Sequence, residues 1–257
     1  MAFLLYDGSF EGFLTVVFEC YAQQIIPTEI CKETSFQENL FIDKMRIPGD
    51  EQKARRVWKA LQSKLHKRNK YLLLHAFLSE NQGIEMKLYR FIRRLFDTQR
   101  SIETDFGDPD VLELKKIERQ VLRETMRILQ FVRFQQTKDG LYFAPIEPEY
   151  DVLPFTIDHF KHRFADQQWL IYDLRRDYGI FYNLRETREI VLSEKTFSET
   201  NGKIRANLLE EQEITYQVLW KAYFDHIHIE ERKNSKLQAQ HMPRRYWKFL
   251  PEKTPGL

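Results

Sequence analysis

The fold class is decided at residues 131–146, where two β-prone runs flank a turn. The stretch reads Phe131-Val132-Arg133-Phe134-Gln135, then Gln136-Thr137-Lys138-Asp139-Gly140, then Leu141-Tyr142-Phe143-Ala144-Pro145-Ile146. Two such runs around an Asp-Gly pair are typical of a β-hairpin. Apolar residues recur every three or four positions before this stretch and closer to every second position after it. The change in period predicts helices first and a sheet second, which makes this an α+β chain.

Upstream of the hairpin, residues from about 50 to 130 are predicted to form a small helical bundle. Three sets of apolar residues have the spacing of one buried helix face: Ala54, Val57, Trp58, Leu61 and Leu65; Leu88, Ile92, Leu95 and Phe96; and Leu114, Ile117, Val121 and Ile128. Asp108-Pro109 predicts the start of the third helix, because proline is tolerated at the first helical position. Nearer the beginning, a short strand over Phe3–Asp7 leads to a helix that Ser9 can cap.

Downstream of the hairpin, residues from about 131 to 227 are predicted to contain an antiparallel sheet with flanking helices. The expected elements are a helix over Val152–Phe164, strands over Trp169–Leu174 and Gly179–Asn183, an edge strand over Glu189–Leu192, and a last helix over Leu208–Phe224. In the last helix, Ile214, Val218, Leu219 and Ala222 are expected to face inward. A basic C-terminal arm follows from about 228 to 257. We expect the three sections to make up one domain over residues 1–257.

Composition suggests a cytoplasmic protein. The chain has 257 residues, 42% of them hydrophobic, which is enough for a sizeable core. Its only cysteines are Cys20 and Cys31, a usage typical of a reducing compartment. The apolar run over Phe13–Phe18 is far too short to span a bilayer, so we expect no membrane association.

Charge is distributed unevenly along the chain. Residues 44–138 hold 22 Lys and Arg against 12 Asp and Glu, although the net charge of the whole chain is only +2. A basic section favours a polyanionic partner, and solvation of helix surfaces is the alternative explanation. Four cations share one face of the third long helix and could follow a phosphate backbone: Lys116, Arg119, Arg123 and Arg127.

The common catalytic and cofactor motifs are absent from the sequence. It contains no glycine-rich phosphate loop, no dinucleotide fingerprint, no HExxH and no serine-nucleophile elbow. His226 and His228 lack a third ligand at the usual spacing, so we expect no metal and no cofactor. Asp173 is the best candidate for a buried acid, and a structural ion pair explains it more simply than catalysis. The balance favours a protein that is not an enzyme.

Two clusters combine arginine with aromatic residues. The first is a predicted turn with Arg175, Arg176 and Tyr178, and the second is an arm segment with Arg244, Arg245, Tyr246, Trp247 and Lys248. Cations can bind phosphates and rings can stack on unpaired bases, so we predict that both clusters contact nucleic acid. The alternative for the arm is that its Tyr and Trp pack onto the domain and leave the arginines exposed.

These segments also carry a family resemblance. The chain resembles the bacterial family described as probable DNA-metabolism proteins through Tyr6–Leu14, Ala54–Trp58, Gly107–Pro109, Phe131–Phe134, Gly140–Pro148, Arg163–Asp173, Glu231–Asn234 and His241–Trp247. The likeness runs from Tyr6 to about Glu252. Members of that family stand beside a radical-SAM protein thought to modify or repair DNA, or are fused to a uracil-DNA-glycosylase-like domain. The resemblance implies the free-standing form and supplies no catalytic residues.

The resulting hypothesis is an accessory protein of DNA repair or modification, which binds DNA and works with a radical-SAM or glycosylase-type partner. Two alternatives stay open. One is an enzyme with an unrecognised active site near Asp173, Arg175 and Arg176, and the other is a scaffold that binds only proteins. Salt-dependent binding to DNA would favour the first hypothesis over the scaffold.

Overall fold

The structure is a computed structural model that describes residues 2–36, 44–98, 101–195, 197–198, 202–226 and 235–253. Contacts within the chain divide it into two units, residues 1–122 (unit 1) and residues 123–257 (unit 2). The boundary lies inside one continuous helix, α5 (Pro109–Phe131), so each unit includes part of that helix.

Unit 1 begins with the strand, turn and helix that the sequence predicts. Strand β1 (Ala2–Tyr6) is central in a three-stranded parallel sheet, between β2 (Pro27–Lys32) and β3 (Lys44–Arg46). Helix α1 (Phe10–Ala22) begins where expected, because the Ser9 hydroxyl accepts the Gly12 N–H at 2.9 Å. Both other strands run parallel to β1, and the sequence analysis did not predict this small sheet.

The helical section is confirmed. Its helices are α2 (Glu51–Lys64), α3 (Leu72–Phe77), α4 (Ile84–Asp97) and α5. The apolar residues that predict these helices are buried, apart from the half-buried Trp58 and Phe96. The Asp108 carboxylate caps α5 by accepting the Val111 N–H at 3.0 Å, with Pro109 in the first helical position.

Unit 2 contains a five-stranded sheet, which confirms the α+β class. Its strands, in spatial order, are β4 (Gln135–Gln136), β5 (Tyr142–Ile146), β6 (Trp169–Asp173), β7 (Tyr178–Tyr182) and β8 (Thr187–Ile190). The expected hairpin is present, because β4 and β5 pair antiparallel around Gly140, which has a φ of 84°. A hairpin also joins β6 to β7, and β8 is the edge strand.

Two details of the predicted sheet are wrong. The sheet is mixed and not wholly antiparallel, because β5 and β6 run parallel. The chain between them crosses over through α6 (Ile157–Arg163), and such a crossover returns the next strand in the same direction. The first β-prone run, Phe131–Gln135, is also a strand only at its last residue: α5 continues to Phe131, the Val132 N–H still donates to the Ile128 carbonyl at 3.1 Å, and β4 begins at Gln135.

The last long helix exposes the side that was predicted to be buried. Helix α7 (Glu211–His226) leaves Ile214, Val218, Leu219 and Ala222 exposed, although we expected them to face inward. The polar Glu213 and Gln217 lie on its less exposed side instead. The Glu213 carboxylate accepts the Gln136 N–H at 3.1 Å, and this bond holds the polar side of α7 against β4.

The C-terminal arm packs onto unit 2 as short helical turns. Helix α8 (Ser235–His241) is followed by 3-10 helices over Arg244–Phe249 and Pro251–Lys253. Leu250, between the two 3-10 helices, is fully buried. Within the described residues, no helix combines the length and apolar character that a membrane crossing requires.

Candidate functional site

The turn between β6 and β7 is organised by one buried carboxylate. Asp173 has no solvent exposure and accepts the N–H groups of Arg175 at 2.9 Å and Arg176 at 3.2 Å. Its second oxygen accepts the Arg176 guanidinium at 2.9 Å. Burial raises the pKa of Asp173 in spite of these hydrogen bonds. Asp173 therefore holds the backbone of the turn through hydrogen bonds and has no contact with solvent.

The same turn binds the segment that follows β5. The Arg175 guanidinium donates to the Glu149 carbonyl at 3.1 Å, and the Arg176 guanidinium donates to the Pro148 and Glu149 carbonyls at 3.3 and 3.2 Å. The Arg176 side chain is only 10% exposed, so its guanidinium is occupied by protein partners. Arg175 is exposed and is the cation that this turn presents to solvent.

Tyr178, the third residue predicted in this cluster, is also engaged within the protein. Its hydroxyl donates to the Asp151 carboxylate at 2.5 Å. Burial and the negative charge of Asp151 raise the pKa of Tyr178. The ring is half-buried at the start of β7.

The arm is anchored by a second buried carboxylate, Glu124 on α5, which is 1% exposed. It accepts the Arg245 guanidinium at 2.5 Å, the Glu149 N–H at 2.9 Å and the Arg127 guanidinium at 3.3 Å. Burial alone would raise the pKa of Glu124. The adjacent Tyr246 hydroxyl, the Glu149 amide and the Arg245 charge outweigh burial and hold the pKa below its usual range.

The aromatic residues of the arm differ in their exposure. Tyr246 is buried, and its ring centroid lies 5.7 Å from that of Phe131. Trp247 is half-buried, and its indole N–H donates to the Met242 carbonyl at 3.0 Å. The Arg244 guanidinium carbon lies 5.8 Å from the Trp247 ring centroid, a cation–π distance. Tyr246 therefore belongs to the core, and Trp247 lies at the surface beside a cation.

The turn and the arm meet at one surface cleft of about 530 Å³. We call it the basic cleft, and its cations are Arg175, Arg244, Arg245 and Lys248. The cleft also contains Glu147 and Glu149, which sequence reasoning missed. Lys248 pairs with Glu147, and Arg245 lies 3.4 Å from the Glu149 carboxylate. Among the described residues, Arg175 and Arg244 make no ion pair with a carboxylate.

The basic face of α5 is exposed over most of its length. Lys116, Arg119 and Arg123 are exposed, whereas Arg127 is partly buried against Glu124. By contrast, the cations of α4 are neutralised. Arg90 makes two bonds to the Asp110 carboxylate at 2.7 and 2.6 Å, and Lys87 pairs with Glu113.

No metal site is visible in the described part of the chain, where no group of three or more His, Cys, Asp or Glu side chains could hold an ion. The side chain of His226 is exposed, and its Nδ1 lies 2.7 Å from the Ala222 carbonyl oxygen. His228 and the segment Glu231–Asn234 lie outside the described residues.

Comparison with known proteins identifies a family but no activity. No curated protein matches the chain. One similar solved structure is a pGpG-specific phosphodiesterase from Vibrio cholerae, with a TM-score of 0.33 and 11% identity, covering 88% of this chain and 97% of that one. A likeness this weak carries no argument about fold or function. The model of a domain of unknown function, DUF4130, matches residues 82–252, which is most of the chain, and the protein therefore belongs to the DUF4130 family.

Proposed function

We propose that this protein binds nucleic acid through the basic cleft of unit 2. The observation that carries the proposal is the meeting of two segments far apart in sequence, the β6–β7 turn and the arm, which supply four cations to one surface. Two of those cations, Arg175 and Arg244, have no carboxylate partner in the described part of the chain. Arginines without a carboxylate partner are suited to phosphate oxygens, because the guanidinium offers several donors in one plane.

The test is DNA affinity as a function of salt for Arg175→Ala, Arg244→Ala and the double variant. Each phosphate contact that is lost should weaken binding and flatten the dependence of log affinity on log salt by roughly one unit. Arg185→Ala is the matched control, because Arg185 is an exposed arginine on the neighbouring β7–β8 turn of the same unit. It should bind as the wild type does.

A folded double variant with unchanged affinity and unchanged salt dependence would contradict the proposal. Arg245 is kept out of this series, because its removal would leave the buried Glu124 carboxylate without its closest cation.

The wider role is an accessory function in DNA repair or modification, together with a radical-SAM or glycosylase-type partner. This part of the proposal rests on the family resemblance described above. Co-purification of the chain with such a partner, compared between wild type and the double variant, tests whether partner binding is separate from the cleft.

A further inference from the structure

Helix α7 presents apolar side chains to solvent and polar ones to its own unit. Tyr216 is 57% exposed and Leu219 is 58% exposed. Glu213 and Gln217, one helical turn apart, lie on the less exposed side, where the Gln217 amide donates to the Glu213 carboxylate at 2.8 Å. A surface helix normally has the reverse arrangement, so the outward face requires an explanation.

Part of this face lines a second cleft, of about 380 Å³. We call it the aromatic cleft, and its rings are Phe134, Tyr216 and Trp220. Arg133, Glu213, Gln217 and Pro251 complete its lining. The volume lies within the range of ligand-binding clefts. Three rings and a guanidinium offer flat surfaces on which a planar group can stack.

One buried carboxylate fixes two of these groups in place. Glu252 accepts the Trp220 indole N–H at 3.0 Å and the Arg133 guanidinium at 2.8 Å. The Arg133 guanidinium carbon lies 5.7 Å from the Trp220 ring centroid. The indole and the guanidinium are therefore positioned before any ligand arrives, which lowers the entropic cost of stacking on them.

A third cleft shares lining residues with both the aromatic cleft and the basic cleft. It shares Arg133, Gln217 and Pro251 with the aromatic cleft and Lys248 with the basic cleft. Lys203 lines it as well. The three clefts share lining residues and so adjoin one another in unit 2, with the aromatic rings at one end and cations in all three. Carboxylates lie among these cations, namely Glu213 in the aromatic cleft and Glu147 and Glu149 in the basic cleft.

We propose that the aromatic cleft receives an unpaired base of a single-stranded nucleic acid whose phosphates lie along the basic cleft. This inference rests on the proposed function and specifies that the nucleic acid is single-stranded. A path of cations that ends in exposed rings is what single strands require, because phosphates bind to the cations while bases stack on the rings. A duplex keeps its bases stacked inside and cannot supply one to Tyr216 without unpairing. Arg175 and Arg244 of the basic cleft, which make no ion pair among the described residues, favour a polyanion over an apolar protein partner.

The experiment compares two probes on the same proteins. One probe is oligothymidylate, and the other is an abasic oligonucleotide of the same length and charge. The wild type should bind oligothymidylate more tightly, by about 5- to 150-fold for one stacked base. Tyr216→Ala should lose most of this preference and keep its affinity for the abasic probe. Leu219→Ala is the control, because Leu219 is equally exposed on the same helix and does not line the cleft.

Each outcome is informative. If the wild type binds both probes equally and in a salt-dependent way, the aromatic cleft does not receive a base. The inference would then be overturned, and the proposed function would stay intact. Binding of neither probe would overturn the inference, and the proposed function itself would fail only if duplex DNA of the same length is not bound either. A folded Tyr216→Ala variant that keeps the full preference would also overturn the inference. So would a dimer in solution that both α7 substitutions dissociate, because it would assign the face to protein contact.

Discussion

At Gly12, helix α1 passes so close to the Asp7 carboxylate that no side chain fits between them. A Cβ atom at this position would lie 2.1 Å from Asp7 Oδ1. That oxygen is already fixed, because it accepts the Ser9 N–H at 2.9 Å and the Ser9 hydroxyl at 2.8 Å. The requirement for glycine here therefore comes from the turn that begins the helix.

Gly12→Ala should destabilise the protein by about 1–3 kcal/mol. Alanine in a helix is otherwise favoured over glycine by up to about 1 kcal/mol, so helix propensity alone would make Gly12→Ala stabilising. A loss of stability would therefore indicate the clash with Asp7. Chemical denaturation measures it, and Gly107→Ala, where the nearest atom would be at 3.5 Å, is the control. A second substitution, Asp7→Ala, should recover part of the loss, and additive effects of the two substitutions would contradict the clash.

Local capping could be predicted from the sequence, but the environment of each site residue could not. Ser9 caps α1 and α5 begins at Asp108-Pro109 as expected, since helix starts depend on a few neighbouring residues. Tyr246 and Trp247 are adjacent, yet one is buried and the other half-buried. The difference depends on the distant Phe131 and Glu124, which the sequence around the arm does not specify. No local pattern brings Arg175 and the arm together, and their position in one cleft is visible only in the structure.

At the scale of elements, the arm depends on charge for its attachment. Glu124 and Glu252 are buried carboxylates that bind Arg245 and Arg133, and one partner in each pair belongs to the arm. Removing one partner of a buried pair leaves the other charge uncompensated. The arm should therefore be held less firmly when either carboxylate is replaced by an uncharged amide.

Glu124→Gln should lower the free energy of unfolding at pH 7 by roughly 3–5 kcal/mol and should expose the arm to trypsin. The pH dependence has a defined sign. Because the folded-state pKa of Glu124 lies below that of the unfolded chain, its stabilisation is present at neutral pH. It is lost as the pH falls through the folded-state pKa.

The difference in stability between wild type and Glu124→Gln should accordingly shrink as the pH falls from neutral through and below the ordinary carboxyl range. Equilibrium unfolding across this range measures the difference. Glu211→Gln, on the exposed first turn of α7, is the control and should follow the wild type. A constant difference at all pH values would contradict the assigned role of the carboxylate.

The type of each element was predictable from the sequence. The direction in which strands pair and the side of a helix that is buried were not. The period of apolar residues identified the helices and most strands, because it reflects local geometry. The parallel pairing of β5 with β6 depends on where a crossover returns the chain, which no local pattern encodes. Helix α7 has apolar residues on several sides, and the inward face was therefore assigned wrongly to Ile214, Val218 and Leu219.

At the scale of the whole molecule, a charge count overstates the basic surface. Residues 44–138 carry a clear excess of cations, but those of α4 are paired with carboxylates. The exposed cations Lys116, Arg119 and Arg123 on α5 have no ion pair among the described residues. The surface that can attract a polyanion is therefore smaller than the sequence suggests, and α5 carries part of it.

Replacing Lys116, Arg119 and Arg123 together with alanine should weaken DNA binding and flatten its salt dependence, while thermal stability stays near that of the wild type. Arg90→Ala is the contrasting control. It breaks an ion pair with Asp110 and should leave DNA affinity unchanged. If the triple variant binds as the wild type does, the face of α5 serves only solvation, as the alternative explanation holds.

The buried contacts of the arm also determine when unit 2 can fold during synthesis. Glu124 and Arg245 are 121 residues apart, so at ordinary translation speeds roughly 6–24 s separate their emergence from the ribosome. Throughout that interval, Glu124 and Phe131 lack the arm residues that contact them, Arg245 and Tyr246. The nascent unit should therefore expose apolar surface until the 3-10 helices of the arm have been synthesised. A chaperone that holds nascent chains would bind to this surface.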